Sequence, residues 1–192
     1  KPLDEQTAVF PGDAPFSRDW IMNLERGHSC NVSTLHGSAH AGTHLDMPLH
    51  VQNAEHEFPL ESFIGKALVI KVNQWSDVLP KNIPEKIRVL FKTKNSSISY
   101  TDFDNNYLCI TKETINWLIK HKALLVGVDA PSVDPVDSKT LDNHHLLFNN
   151  GIAILENLDL SEVHEGEYEL ISLPLKIPKT DASWTRAVLI KR

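Results

Sequence analysis

Residues 40–50 read His-Ala-Gly-Thr-His-Leu-Asp-Met-Pro-Leu-His, placing His40, His44, Asp46 and His50 at even positions within eleven residues. Alternate side chains of an extended chain share one face, so wherever this stretch is extended, imidazoles and a carboxylate project together. A helix is disfavoured, because Gly42 lies between the first two histidines and Pro48 follows closely. The i, i+4 pair also lacks the glutamate of a helical HExxH zinc motif. A solvated polar run is the bland reading, yet imidazole plus carboxylate is a donor set that divalent metals select. A closed structural zinc site is the stronger rival. The absence of cysteine and the presence of Asp46 favour an open, water-bearing site over it.

A chain of 192 residues, 41% hydrophobic and 23% charged, predicts one domain over residues 1–192 with a substantial core. The formal charge of −6 and the lack of any Lys/Arg run argue against a nucleic-acid partner. No apolar stretch reaches membrane-spanning length, and no secretory h-region is evident. Cys30 and Cys109 are far apart and outside any CxxC pairing, so they read as buried or free thiols of a reducing compartment, with a single disulfide as the alternative. A cytoplasmic location is the expectation from these features together.

Patterning predicts more strands than helices. Residues 7–10 form a short extended start before the Pro11-Gly12-Asp13 turn, and 31–35 alternate as a half-buried strand. Runs 67–72, 87–91 and 107–110 read as strands. Thr111 then caps a helix carrying Ile115, Leu118 and Ile119 and ending near His121. The continuous apolar run 124–128 predicts a strand covered on both faces. Asp142 is expected to cap a short helix through Asn149, with Gly151 beyond its end. Strands at 152–155, 168–177 and 187–190 complete an α/β fold with parallel crossovers around 107–155 and more than one layer of sheet.

A site with two ions needs more ligands than residues 40–50 supply. His144, on the short predicted helix, and Glu156, at the end of the following strand, are the best candidates, because a helix-to-strand hairpin can bring them together. A surface histidine and a solvated glutamate remain the plain alternative for that pair. Neither cysteine sits in a nucleophile motif, and Ser132 and Ser138 lie in no GxSxG elbow. For Gly42 and Thr43, close backbone approach and orientation of a ligand stand beside a simple turn.

The pattern His40-x-Gly42-Thr43-His44-x-Asp46-x-Pro48-x-His50 resembles the signature of the metal-dependent cyclase/kynurenine formamidase family. The resemblance extends through residues 9–16, 129–138, the His144-His145 pair and 151–158, and the tail at 168–175 and 181–183 is similar to bacterial kynurenine formamidases. It implies a swivelling β/β/α fold, a homodimer, and two divalent ions, usually zinc, with manganese also acceptable to such ligands. His40, His44, Asp46 and Glu156 would hold one ion, and Asp46, His144 and Glu156 the other. His145 is left out of either set. The implied activity is hydrolysis of N-formyl-L-kynurenine, a small aromatic amide of tryptophan degradation, by metal-activated water. His50 would carry the proton, and the ordinary histidine pKa of about 6.5 suits that task. Phe10 stands where the bacterial enzymes usually have a substrate-contacting tryptophan, and keeps an aromatic face without the indole N–H. The rivals are a sibling hydrolase opening a cyclic amide or lactone, of the isatin hydrolase type, and a metal-dependent binding protein without catalysis.

Overall fold

The sheet is organised by which strands hide both faces and which hide one. The computed structural model describes residues 1–53, 57–75, 77 and 79–191. In chain order the elements are β1 (Ser17–Met22), β2 (Val32–His36), β3 (His44–Asp46), β4 (Ile64–Lys71), β5 (Arg88–Lys92), α1 (Lys112–Lys120), β6 (Leu125–Val128), α2 (Asp142–Asn149), β7 (Ala153–Glu156), β8 (Gly166–Ile171), β9 (Ala182–Trp184) and β10 (Val188–Ile190). β1 and β2 form a separate antiparallel hairpin, and the other strands form one sheet in the order β10-β8-β4-β5-β6-β7-β3-β9. β4 through β7 run parallel. The crossovers through α1 and α2 therefore fall where the sequence places them. β6 and β7 are buried along their whole length, as the apolar run at 124–128 requires. The α/β class expected from the sequence is the one observed, and the described strands fall into two sheets, the smaller being the β1–β2 hairpin.

Connectivity forces the large sheet to curl. β9 and β10 lie at opposite ends of its order, yet only residues 185–187 join them. Seven strand spacings would separate flat edges by roughly 34 Å. The connecting chain reaches only about 14 Å when fully extended. The edges must therefore approach each other, and the side chains enclosed by the curl become core. Leu45, Leu90, Leu125, Ile154 and Leu155 are completely buried there or beneath the helices. α1 contributes Ile115 and Leu118, and α2 contributes Leu147. Thr111 caps α1 by accepting a hydrogen bond from the Thr114 amide.

Several predicted elements differ. Residues 107–110 are not a strand, because the Asn95 side chain takes the place of a ladder partner. It accepts from the Leu108 amide at 2.9 Å and donates to the Leu108 carbonyl at 3.0 Å. Residues 7–10 hold to a distant segment through Ala8 N–H to Tyr100 O and otherwise make local turn bonds, so they too lie outside the sheet. The strand predicted at 168–177 stops at Ile171, ahead of Pro174, which has no N–H to donate. β1 escaped prediction because its residues are almost all exposed, so no buried face imposes an alternation. β9 is only three residues long. No helix among the described residues is long and apolar enough to cross a membrane.

Gly127 lies where β6 passes the buried Leu90. A Cβ there would sit 2.2 Å from Leu90 Cδ2 and 2.9 Å from Leu158 Cδ1. Both leucines are enclosed, so neither can swing into solvent. Gly127→Ala is expected to destabilise the protein by about 1–3 kcal/mol through overpacking. Chemical denaturation should show this as a lower midpoint with an unchanged slope.

Candidate metal centre

The site is built around β3, which lies between β7 and β9. Its antiparallel register with β7 sets His44 directly opposite Glu156. His44 and Asp46 share a face, as their spacing predicts, and both are completely buried. The even-position argument holds only for that pair. His40 lies in the preceding turn, and His50 ends a single turn of 3-10 helix, Pro48–His50. The turns return both rings to the site: His40 and His50 are 4.3 Å apart by centroid, and His50 and His144 are 5.2 Å apart.

The two carboxylates each face two sets of imidazoles. Asp46 Oδ1 lies 2.9 Å from His40 Nδ1 and 3.2 Å from His44 Nε2, while its Oδ2 lies 3.1 Å from His144 Nε2. Glu156 Oε2 is 3.4 Å from His44 Nε2, and Oε1 is 3.6 Å from His144 Nε2. Asp46 Oδ1 is buried and accepts no hydrogen bond despite these close nitrogens. Hydrogen bonds join His144 Nε2 to Asp46 Oδ2 and His40 Nδ1 to His44 Nε2, and carboxylate oxygens and imidazole nitrogens gathered this closely form a donor set suited to a divalent cation. His40, His44 and Asp46 make one such group, and Asp46, His144 and Glu156 another. The residues present thus fit the ions that the sequence resemblance implies.

Electrostatics in the ion-free cluster are dominated by burial and mutual attraction. Burial alone would lower His44, but Asp46 and Glu156 overcome it and lift its pKa to about 10. Burial of His144 is likewise outweighed, by Asp134 and Asp46, again to about 10. Asp46 is held well below the carboxylate range: the surrounding imidazoles, His44 foremost, overcome the penalty of burial. Burial and the charge on Asp46 push Glu156 up. His50 goes the other way. Burial, with His40 and His144 adding to it, depresses its pKa to about 4, below the ordinary value expected from sequence. It is therefore a neutral base at pH 7.

Outer contacts fix the rings. His44 Nδ1 lies 2.9 Å from the Gly42 carbonyl, and Gly42 adopts φ +66°, a conformation that disfavours other residues. Thr43 serves the strand instead of a ligand, donating at 2.8 Å to the Asn157 carbonyl at the end of β7. Asp134, which no sequence pattern singled out, lies 2.7 Å from His144 Nδ1 through Oδ2. Its two oxygens also accept the Asn143 and His144 amides. It thereby does for α2 what Asp142 was expected to do. Asp142 is instead the first helical residue, behind Leu141 in a left-handed conformation. Ser132 and Ser138 accept backbone amides of nearby turns, in keeping with structural roles.

A cavity of about 170 Å³ opens onto the cluster, and His40, His50, His144 and Glu156 line it together with Phe10, Phe103 and Tyr107. Phe10 meets Phe103 edge-on at 5.4 Å, and Phe103 meets Tyr107 at 6.3 Å. Phe10 thus lines the same cavity as His50. Phe103 and Tyr107 join it from a loop whose role no local motif disclosed.

Protons held by His44 and His144 must leave when their nitrogens take an ion, so loading is proton-coupled. Because both pKa values are raised, the protons are present at pH 7, and metal affinity should climb as pH rises from 6 to 9. Titration calorimetry of the ion-free protein in buffers of different ionisation enthalpy should register proton release. Affinity independent of pH would contradict these charge states.

The chain has relatives of known name and solved structures of similar fold. The chain is 38% identical over 201 residues to the kynurenine formamidase of Bordetella petrii, covering 98% of this chain and 94% of that one. It is 43% identical over 193 residues to the kynurenine formamidase of Salinibacter ruber, covering 95% and 91%. A solved structure of a potential metal-dependent hydrolase with cyclase activity superposes with a TM-score of 0.83 at 28% identity, covering 98% and 94%. An isatin hydrolase bound to the product analogue thioisatinate shares the fold with a TM-score of 0.81 at 19% identity, covering 100% of this chain and 90% of that one. The Cyclase family model matches residues 1–135, and with these relatives it establishes that the chain belongs to the cyclase family.

Proposed function

We propose that this protein is an arylformamidase that hydrolyses N-formyl-L-kynurenine to L-kynurenine and formate. The observation that carries the reading is the pairing of a two-carboxylate, three-imidazole cluster with an aromatic-walled cavity. Kynurenine formamidases at 37–43% identity across nearly the whole chain support the linear formamide as substrate. The isatin hydrolases share the fold at much lower identity, which speaks for architecture alone.

His40, His44, Asp46 and Glu156 would hold one divalent ion and Asp46, His144 and Glu156 a second, zinc or manganese being suited to such ligands. Bound there, the ions supply Lewis-acid activation of water and polarisation of a carbonyl oxygen. Phe10, Phe103 and Tyr107 stack against the aromatic ring and exclude water from it. His50, neutral at pH 7 and facing the cavity, takes a proton as water adds to the formyl carbon. It returns that proton to the anilide nitrogen as the C–N bond breaks, because an unprotonated anilide is too basic to leave. Formate and the free arylamine result.

The enzyme is also proposed to act as a homodimer. Trp20, Ile21, Leu24, Val32 and Leu35 are all exposed on or beside the β1–β2 hairpin. A two-stranded hairpin is marginal by itself in water, and cover by a second copy would protect these side chains. Ile21→Glu with Leu35→Glu is expected to halve the mass measured by light scattering, with far-UV circular dichroism retained.

Metal-loaded protein should release L-kynurenine and formate, and chelation should abolish turnover. His50→Ala should lower kcat by about 10²–10⁴-fold, the usual worth of general acid–base catalysis, with metal content unchanged. Near-wild-type turnover in that variant would remove His50 from the mechanism. Loss of metal from it would make His50 a ligand.

A further inference from the structure

Each imidazole of the cluster turns one nitrogen toward the carboxylates and one away. The outward nitrogens of His44 and His144 meet the Gly42 carbonyl and Asp134, respectively. That of His40 meets Asp181, with Nε2 at 3.0 Å from Oδ2 and 141 positions between the two residues. Backbone pairing sets this contact. The Asp181 carbonyl accepts the Met47 amide at 2.9 Å, and the next residue, Ala182, pairs with Asp46 across the β3–β9 ladder. The register that places Asp46 in the cluster therefore also places Asp181 against His40.

Resting on the metal reading above, we infer that Asp181 is a positioning residue: it accepts the His40 Nε2 proton and so locks the Nδ1 lone pair toward Asp46 and the ion. The contact is asymmetric in exposure. The His40 side chain is 15% exposed, whereas that of Asp181 is 55% exposed and reaches in from the rim. Water in place of Asp181 can still accept a proton, but it does not hold the ring against rotation about χ2, which moves Nδ1 away from Asp46. His40, His50 and Asp181 also lie close enough together to hold an ion of their own. That arrangement would need His40 Nε2 as a second ligand atom, and a neutral imidazole has one lone pair. Its Nδ1 already faces Asp46 at 2.9 Å and His44 at 3.3 Å. Donation from Nε2 to Asp181 is the assignment that leaves Nδ1 free for the ion. A carboxylate behind a ligand histidine is also a general way to orient the ring and raise its basicity.

The test compares Asp181→Ala, Asp181→Asn and Asp181→Glu with the unsubstituted protein, using Zn2+ titration calorimetry and the visible absorption of Co2+. Asp181→Ala should weaken the affinity for one ion about 10–100-fold and shift the Co2+ bands, while the ion-free variant keeps its circular dichroism spectrum. The Asn and Glu variants, which keep an acceptor oxygen, should recover most of the affinity. Wild-type affinity and bands in Asp181→Ala would overturn the proposal. So would loss of one whole ion with the remaining bands unchanged, since that would make Asp181 a ligand of a separate ion. Failure of the unsubstituted protein to bind either metal would instead sink the metal reading itself, and this proposal with it.

Discussion

Two buried carboxylates facing buried imidazoles are the constraint on which the rest of this structure depends. Asp46 and Glu156 are almost wholly removed from water, and neither could stay charged there without partners. Antiparallel pairing of β3 with β7 delivers Glu156 opposite His44, and α2 brings His144 to the far oxygens of both acids. The ion-free cluster balances its charge with protons on the imidazoles. A cation placed there would supply the same balance through the same donor atoms.

The curl of the sheet makes this cluster possible. A flat sheet with the same strand order could not join β9 to β10 by residues 185–187. The short β9 is therefore held beside β3 at one edge while β10 remains tied to β8 at the other. Precision comes from the contacts outside the ligand atoms. Gly42 turns a carbonyl to His44, and Asp134 caps α2 and orients His144 with one carboxylate. The cap and the ring orientation cannot be changed independently, because Asp134 Oδ2 serves both the His144 amide and its Nδ1.

The cavity divides its tasks between two walls. One is polar: Glu156 comes from β7, His144 from α2, and His40 and His50 from the turns on either side of β3. The other is aromatic and loop-borne, presenting flat faces that tolerate small displacements of a ring. His50 belongs with the polar wall but differs from its neighbours. Crowded by other imidazoles and shielded from water, it stays neutral while His44 and His144 are held as cations. Identical side chains acquire different charge because carboxylates hydrogen-bonded to His44 and His144 outweigh burial there, whereas burial prevails at His50.

Residues 40–50 alone pointed to His40, His44 and Asp46, which the structure gathers with His144 and Glu156, because divalent ions select few residue types and a strand's period of two is local. The apolar run at 124–128, the Thr111 cap and the helices around Ile115 and His144 were equally legible, since each depends on neighbours in sequence. Asp134 and Asp181 were not, even though both lie in segments that resemble the family. An acid that hydrogen-bonds a distant histidine carries no periodic signature. The loss of the strand at 107–110 to the Asn95 side chain, and the approach of β9 and β10 around the curl, were invisible for the same reason. Sequence by itself determined which atoms could bind and react. Tertiary structure decided which of them converge, and which groups hold them there, because register and burial depend on residues far apart in the chain.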